Sequence, residues 1–206
     1  MKSIKTKFIL GVMSLFLFSA CASISSLQSA RTLKKGEWST TYAMGSIGSK
    51  GWRPKKVPHY GPGEQPVNEL YFKYGVVDNF DLGLKWSTLS LSVDAKYMLL
   101  GKGEPLSLSL GAGVRLTSPF SHVFIPLYIS YDFSKESSFH FVFGLALSNE
   151  APNTYYGGRP VYAQVNIGYN IKWLILELGC LTSFTGSDSM CQGIIGFSSA
   201  WDDLDY

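Results

Sequence analysis

From Leu89 to Thr117 apolar and polar residues exchange places at almost every step. Leu89, Leu91, Val93, Ala95, Tyr97 and Leu99 share one parity, and Ser90, Ser92, Asp94 and Lys96 the other. After Gly101-Lys102-Gly103-Glu104, the row Leu106, Leu108, Leu110, Ala112, Val114 and Leu116 alternates with Ser107, Ser109, Gly111, Gly113 and Arg115. Successive side chains of a strand point to opposite faces, so this period of two predicts a β-hairpin with one wholly apolar face and one small or polar face.

The same period runs through nearly everything after Gly36. A first strand over residues 37–47 places Trp38, Tyr42 and Met44 together, and a second over 67–76 does so with Leu70, Phe72 and Tyr74. Phe80, Leu82, Leu84 and Trp86 make the third apolar row, and the hairpin supplies the fourth and fifth strands. Val123 to Phe133, Phe139 to Leu147, Val161 to Ile171, Leu174 to Cys180 and a weaker segment over 190–199 complete the series. About ten strands averaging roughly 10 residues match the 9–11 that cross a bilayer at a tilt. Connections at Asp78, Lys102, Lys135 and Lys172 read as tight, and those at Arg53, Pro119, Asn153 and Gly186 as longer. Outer-membrane barrels show this asymmetry, with short periplasmic turns and longer external loops.

Composition sharpens the picture. The 206-residue chain is 46% hydrophobic but only 16% charged, against about 25% charged in soluble domains. Lys2, Lys5 and Lys7 carry the whole formal charge of +3, so the rest is neutral and has no electrostatic footprint for nucleic acid. Those lysines precede an apolar run from Phe8 to Phe18 and a small-residue exit, too short for a membrane span but suited to a signal peptide over residues 1–20. Leu17-Phe18-Ser19-Ala20-Cys21 resembles a bacterial lipoprotein box, which implies lipidation of Cys21 as first residue of the mature chain; Phe18 stands where leucine is usual. The competing reading is an ordinary Ala20-Cys21-Ala22 cleavage site. Residues 21–35 lack a steady period and read as an N-terminal tether, and 36–206 as the barrel.

Alternation alone also fits a soluble lipid-binding barrel. The polar faces decide between them: they are rich in Ser, Gly, Ala and Asn, with few charges of both signs, namely Glu69, Lys73, Asp81, Lys85, Asp94, Lys96, Arg115, Asp132 and Glu177. Such faces suit a crowded lumen where opposite charges pair. Trp38, Phe80, Trp86, Phe133, Phe139 and Trp201 lie near row ends, as interfacial girdles do. The expected fold is therefore all-β: a closed antiparallel transmembrane β-barrel of about ten strands, eight being the alternative count. Over residues 36–206 the chain resembles the small bacterial outer-membrane β-barrel proteins, on this patterning and on segments such as Ala30-Arg31-Thr32-Leu33, Gly36-Glu37-Trp38 and Tyr71 to Ser87. The aromatic terminus Tyr206 fits the resemblance, and the acidic stretch before it departs from it. The resemblance implies an outer-membrane location and not an activity.

Motif chemistry is sparse. His59, His122 and His140 have no ligand or triad partner at recognisable spacing, Gly111-Ala112-Gly113 has no helix after it to form a phosphate loop, and Asp202-Asp203 reads as a solvated tail. No cofactor and no metal site is expected. Lys50, Arg53, Lys55 and Lys56 flank Trp52 in a long loop, a pattern able to engage lipopolysaccharide phosphates. Cys180 and Cys191 flank the last hairpin turn, and in an oxidising envelope such a pair forms a disulfide if the register brings the thiols to one face. The expected function is a non-enzymatic outer-membrane barrel with a narrow or closed lumen and a structural or surface-interaction role among outer-membrane lipids. A lipid-modifying barrel enzyme and a soluble lipid carrier are the alternatives.

Overall fold

A computed structural model describes residues 25–50, 65–87, 90–117, 121–148, 161–184 and 189–199. The alternating segments form ten strands: β1 (Trp38–Lys50), β2 (Gln65–Val77), β3 (Phe80–Ser87), β4 (Ser90–Leu100), β5 (Leu106–Thr117), β6 (Ser121–Ser134), β7 (Ser137–Ser148), β8 (Val161–Ile171), β9 (Leu174–Ser183) and β10 (Ser189–Ser198). Each pairs antiparallel with its sequence neighbours, and β10 returns to β1 from Thr41 opposite Ser198 to Lys50 opposite Ser189. The sheet is thus a closed ten-strand antiparallel barrel, with no edge left to hydrogen-bond to solvent.

Strand faces follow the alternation. Leu82, Leu84 and Trp86 on β3, Leu91, Val93 and Tyr97 on β4, and Leu110, Val114 and Leu116 on β5 point outward and are exposed. Their polar neighbours Asp81, Lys85, Ser92, Asp94, Lys96 and Arg115 point inward and are buried. The contrast is extreme across single peptide bonds: Leu178 is 70% exposed, whereas Glu177 is 3% exposed. In water this arrangement is inside out; hydrocarbon is the solvent that stabilises it.

The two rims differ. At one, hereafter the turn end, short turns join β2 to β3, β4 to β5, β6 to β7 and β8 to β9. Asn79 at φ 69° and Lys172 at φ 50° supply the left-handed backbone that two-residue hairpins require. Exposed ion pairs Lys102–Asp78 (3.9 Å) and Lys172–Glu136 (3.2 Å) decorate this rim. Just above it lies an aromatic girdle: Trp38, Tyr74, Tyr97, Tyr131, Phe133, Phe139, Trp173 and Phe197 are exposed on the outer face, with Trp173 stacked on Phe197 at 5.5 Å. At the opposite rim, the loop end, Trp86 and Phe184 are the exposed aromatics among the described residues. Trp201 lies outside the described residues.

One expectation about the connections changes, and the cysteine pair meets its register condition. The connection at Pro119 is not long, since β5 ends at Thr117 and β6 begins at Ser121. The rim contrast comes instead from 51–64 and 149–160. Cys180 and Cys191 are direct register partners on β9 and β10, on the outer face near the loop end, with Cα atoms 4.1 Å apart and their sulfurs bonded in this structure.

Leu110 lies on the outward face well inside β5, whereas Leu91 is the second residue of β4, so Leu110→Arg should weaken membrane folding by about 2–4 kcal/mol and Leu91→Lys, nearer the rim, by less. Denaturant titration of barrel folding into vesicles measures it, and normal assembly of both variants would reverse the assignment of the outer face.

Candidate functional site

Closing the barrel turns every inward side chain towards a shared lumen. Glycines make room for the large ones: a Cβ at Gly168 would stand 2.1 Å from the His140 ring, and one at Gly83 would stand 2.3 Å from the Tyr71 hydroxyl. Four inward carboxylates then take cationic or hydroxyl partners. Lys85 lies 3.7 Å from Glu69 and Lys96 lies 3.5 Å from Asp81. The Tyr71 hydroxyl donates to Asp94 at 2.8 Å, and His140 Nε2 is 3.2 Å from Glu177. Towards the loop end Ile47, Val67, Phe124, Ala146, Tyr162 and Leu181 pack together in an apolar layer, with the Arg115 guanidinium 5.3 Å from the centre of the Phe124 ring.

What fills the remaining space is the segment read as a tether. Residues 25–35 do not trail away from the barrel; 25–33 run inside it. The chain turns inward at Gly36, whose φ is 83°, and crosses β2 so closely that a Cβ on Gly75 would meet the Lys34 carbonyl oxygen at 2.1 Å. From there it climbs from the turn end. The Leu33 amide donates to Asp81 at 2.9 Å. The Arg31 guanidinium pairs with Asp132 and donates to the Gly101 and Glu104 carbonyls at 3.0 and 2.6 Å. Lys96 Nζ donates to the Ser29 and Arg31 carbonyls at 3.0 and 2.6 Å, and the Ser109 hydroxyl donates to the Ala30 carbonyl. Gln28 reaches the Tyr128 hydroxyl at 2.9 Å.

The densest node is Glu177. Its two oxygens accept the Ser26 amide (2.7 Å), the Ser26 hydroxyl (2.5 Å), the Leu27 amide (2.9 Å) and the Asn166 side-chain amide (2.7 Å). One residue further along the segment, Lys85 donates to the Ser25 carbonyl at 2.5 Å, and the Ser25 hydroxyl donates to Glu69. Leu27 between these contacts has φ 51°, a left-handed conformation that costs a leucine about 1–2 kcal/mol. It is held there by burial against Ala43, Tyr71, Ile175 and Ile194 and by Glu177 on its amide, which is how an unfavourable backbone state persists. The cavity left beside Ser25, between Lys85, Asp94 and Arg115, is about 10 Å³, space for about one water.

The predicted site residues fall unevenly on this geometry. His140 is buried against Glu177, and His122 lies near the loop end beside Tyr162, ring centroids 6.2 Å apart. The structure does not bring the two histidines together; His59, Cys21, Trp52, Arg53, Lys55 and Lys56 lie outside the described residues. Lys50 is the last residue of β1, at the loop end. Among the described residues no group of three His, Cys, Asp or Glu could hold a metal ion. Ser25, Ser26, Leu27, Gln28 and Arg31 were not legible as lumen residues, because a short polar segment without a period reads alike inside a polar lumen and in water.

No family model and no curated protein matches the chain. Among solved structures, one similar chain is Ail, the attachment invasion locus protein of Yersinia pestis, solved in complex with the heparin analogue sucrose octasulfate. It shares 9% identity over 80% of this chain and 99% of that one, with a TM-score of 0.32. At so low a TM-score nothing concerning ligands passes to this chain.

Glu177→Ala removes the acceptor of several buried donors, each worth about 1–3 kcal/mol when orphaned. The folded barrel should lose several kcal/mol, read as a lower temperature for the shift between folded and unfolded bands on unheated gels. Glu177→Gln, which keeps one acceptor oxygen, should lose less than the alanine variant.

Proposed function

We propose that this protein is an exported, non-enzymatic bacterial outer-membrane barrel with a narrow or closed lumen, whose role lies in structure and in surface contacts. The observation that carries the reading is the inversion of polarity on every strand, with an apolar exterior above an aromatic girdle and the charged residues inside. With 25–33 packed in the lumen, solute has no wide path through it, and the long connections at the loop end are the surface left for partners. The turn end faces the periplasm and the loop end the exterior, the usual arrangement of short turns and long loops.

Three finer assignments belong to the same reading. Residues 1–20 are a signal peptide, and Cys21 is the lipidated first residue of the mature chain. Cys180 and Cys191 form a disulfide that ties the loop-end rim of β9 to β10. Lys50, Trp52, Arg53, Lys55 and Lys56 form a cationic loop for anionic glycolipid such as lipopolysaccharide, the aromatic ring seated among the acyl-proximal sugars and the cations on phosphate.

Cell fractionation with gels run on unheated and heated samples tests the central reading: the protein should sediment with outer membranes and migrate faster unheated, and recovery in the soluble fraction would refute it. Thiol labelling should find Cys180 and Cys191 reactive only after reduction. Replacing Lys50, Arg53, Lys55 and Lys56 by Ser should cut retention on immobilised lipopolysaccharide at least about fivefold, consistent with losing surface ion pairs of up to about 1 kcal/mol each; unchanged retention would remove the loop from the reading.

A further inference from the structure

We propose that the lumen is a binding site for an extended peptide, that residues 25–33 occupy it as a releasable plug, and that docking this plug excludes anchoring a lipid-bearing Cys21 in the turn-end leaflet. The last part rests on the lipoprotein reading above; the first two do not.

The plug is a ligand of the barrel and not a part of its wall. All ten strands are hydrogen-bonded on both sides without it, and 25–33 add no strand to the sheet. Recognition is by side chains that read a peptide backbone: Glu177 and Asp81 accept amides, and Lys85, Lys96 and Ser109 donate to carbonyls. Arg31 is the one strongly charged side chain of the segment, and Asp132 receives it with the Gly101 and Glu104 carbonyls alongside. The class of ligand is therefore an extended, small-residue peptide carrying one arginine.

The same contacts make release feasible. Both lysines stand closer to plug carbonyls, at 2.5–3.0 Å, than to Glu69 and Asp81 at 3.7 and 3.5 Å. When the plug leaves, each lysine has a carboxylate within reach to close upon, so neither lysine is left without a partner. Leu27 escapes its left-handed backbone on release. Gly36, with a positive φ and no atom near the place of a Cβ, is the pivot between plug and β1, and the segment enters at the turn end. The apolar layer around Phe124 and Tyr162 stays behind, so release opens a pocket to the turn end and not a pore.

Docking fixes where the N-terminus can be. Ser25 is held at the level of Glu69 and Lys85, while the turn-end rim of the same strand is at Asp78. That interval is about 30 Å along the strand, or more than about 20 Å along the barrel axis at a 35–45° tilt. The link from Cys21 to Ser25 spans at most about 14 Å fully extended. A Cys21 whose acyl chains lie in the turn-end leaflet therefore pulls the plug out of the lumen, and a docked plug holds Cys21 away from that leaflet.

A thiol placed at Ser109 reports the plug, since Ser109 is fully buried beneath it. In outer-membrane fractions, maleimide labelling of Ser109→Cys is compared in three chains: one with Cys21→Ser, one lacking 22–33 and also carrying Cys21→Ser, and one with Cys21 intact and shown by palmitate incorporation to be acylated. Labelling should be slow in the first and at least tenfold faster in the second and third. Arg31→Glu in the first chain should also speed labelling, which covers the case in which the deleted chain fails to fold, and added peptide of sequence 25–33 should protect the second. Fast labelling of the first chain, slow labelling of a folded second chain, or an acylated chain as protected as the first overturns the proposal. Absence of palmitate refutes the lipoprotein reading alone, and the other chains still judge the plug.

Discussion

A sheet in hydrocarbon has to pair every backbone amide and carbonyl with itself, and the seam between β1 and β10 is where that condition is met. Were the seam open, two strand edges would face lipid with their polar groups unmet. Once it closes, the remaining architecture follows. The period-two pattern leaves one face for lipid, the other face is forced inward, and ten strands enclose a narrow space, nearly filled by the segment 25–33 and lined with carboxylates, lysines and an arginine.

That lumen creates the next constraint. A charge inside it is nearly as far from solvent as a charge in a protein core, and its cost is offset only by partners with good geometry. The wall supplies some: lysines near Glu69 and Asp81, a tyrosine hydroxyl for Asp94, a histidine for Glu177. The segment 25–33 supplies others, from backbone amides and carbonyls and from Arg31. Glu177 shows the logic most clearly, a buried carboxylate whose oxygens are shared between the wall residues His140 and Asn166 and two successive amides of the plug. Charged hydrogen bonds of this kind are stronger than neutral ones, and they hold Leu27 in a backbone state it would not adopt alone.

With 25–33 docked, the ends of the barrel are the surfaces left open. The two ends are unlike: tight turns with exposed ion pairs and an aromatic girdle at one, long connections and the cysteine pair at the other. His140 illustrates the same division. Inward on the polar face and without a partner at recognisable spacing along the chain, it is packed against Gly168 and engaged with Glu177 across the lumen wall.

Nearly all of the barrel wall was legible along the chain. Leu91 and Lys96, or Phe139 and His140, declare their faces by parity alone, because a strand's side-chain period is a property of the local backbone and lipid on one side lets the pattern run unbroken. The cysteine pair was legible as two positions near one turn, but only the β9–β10 register put Cys180 opposite Cys191, since a slip of one residue sends the two thiols to opposite faces. The place of residues 25–33 was not legible at all. Ser25, Gln28 and Arg31 carry no period, and a polar segment satisfies its backbone equally well with water or with the side chains of a polar lumen. Which of the two it meets depends on Glu69, Lys96, Asp132 and Glu177, residues from strands far apart in the chain that share a space only once the barrel has closed.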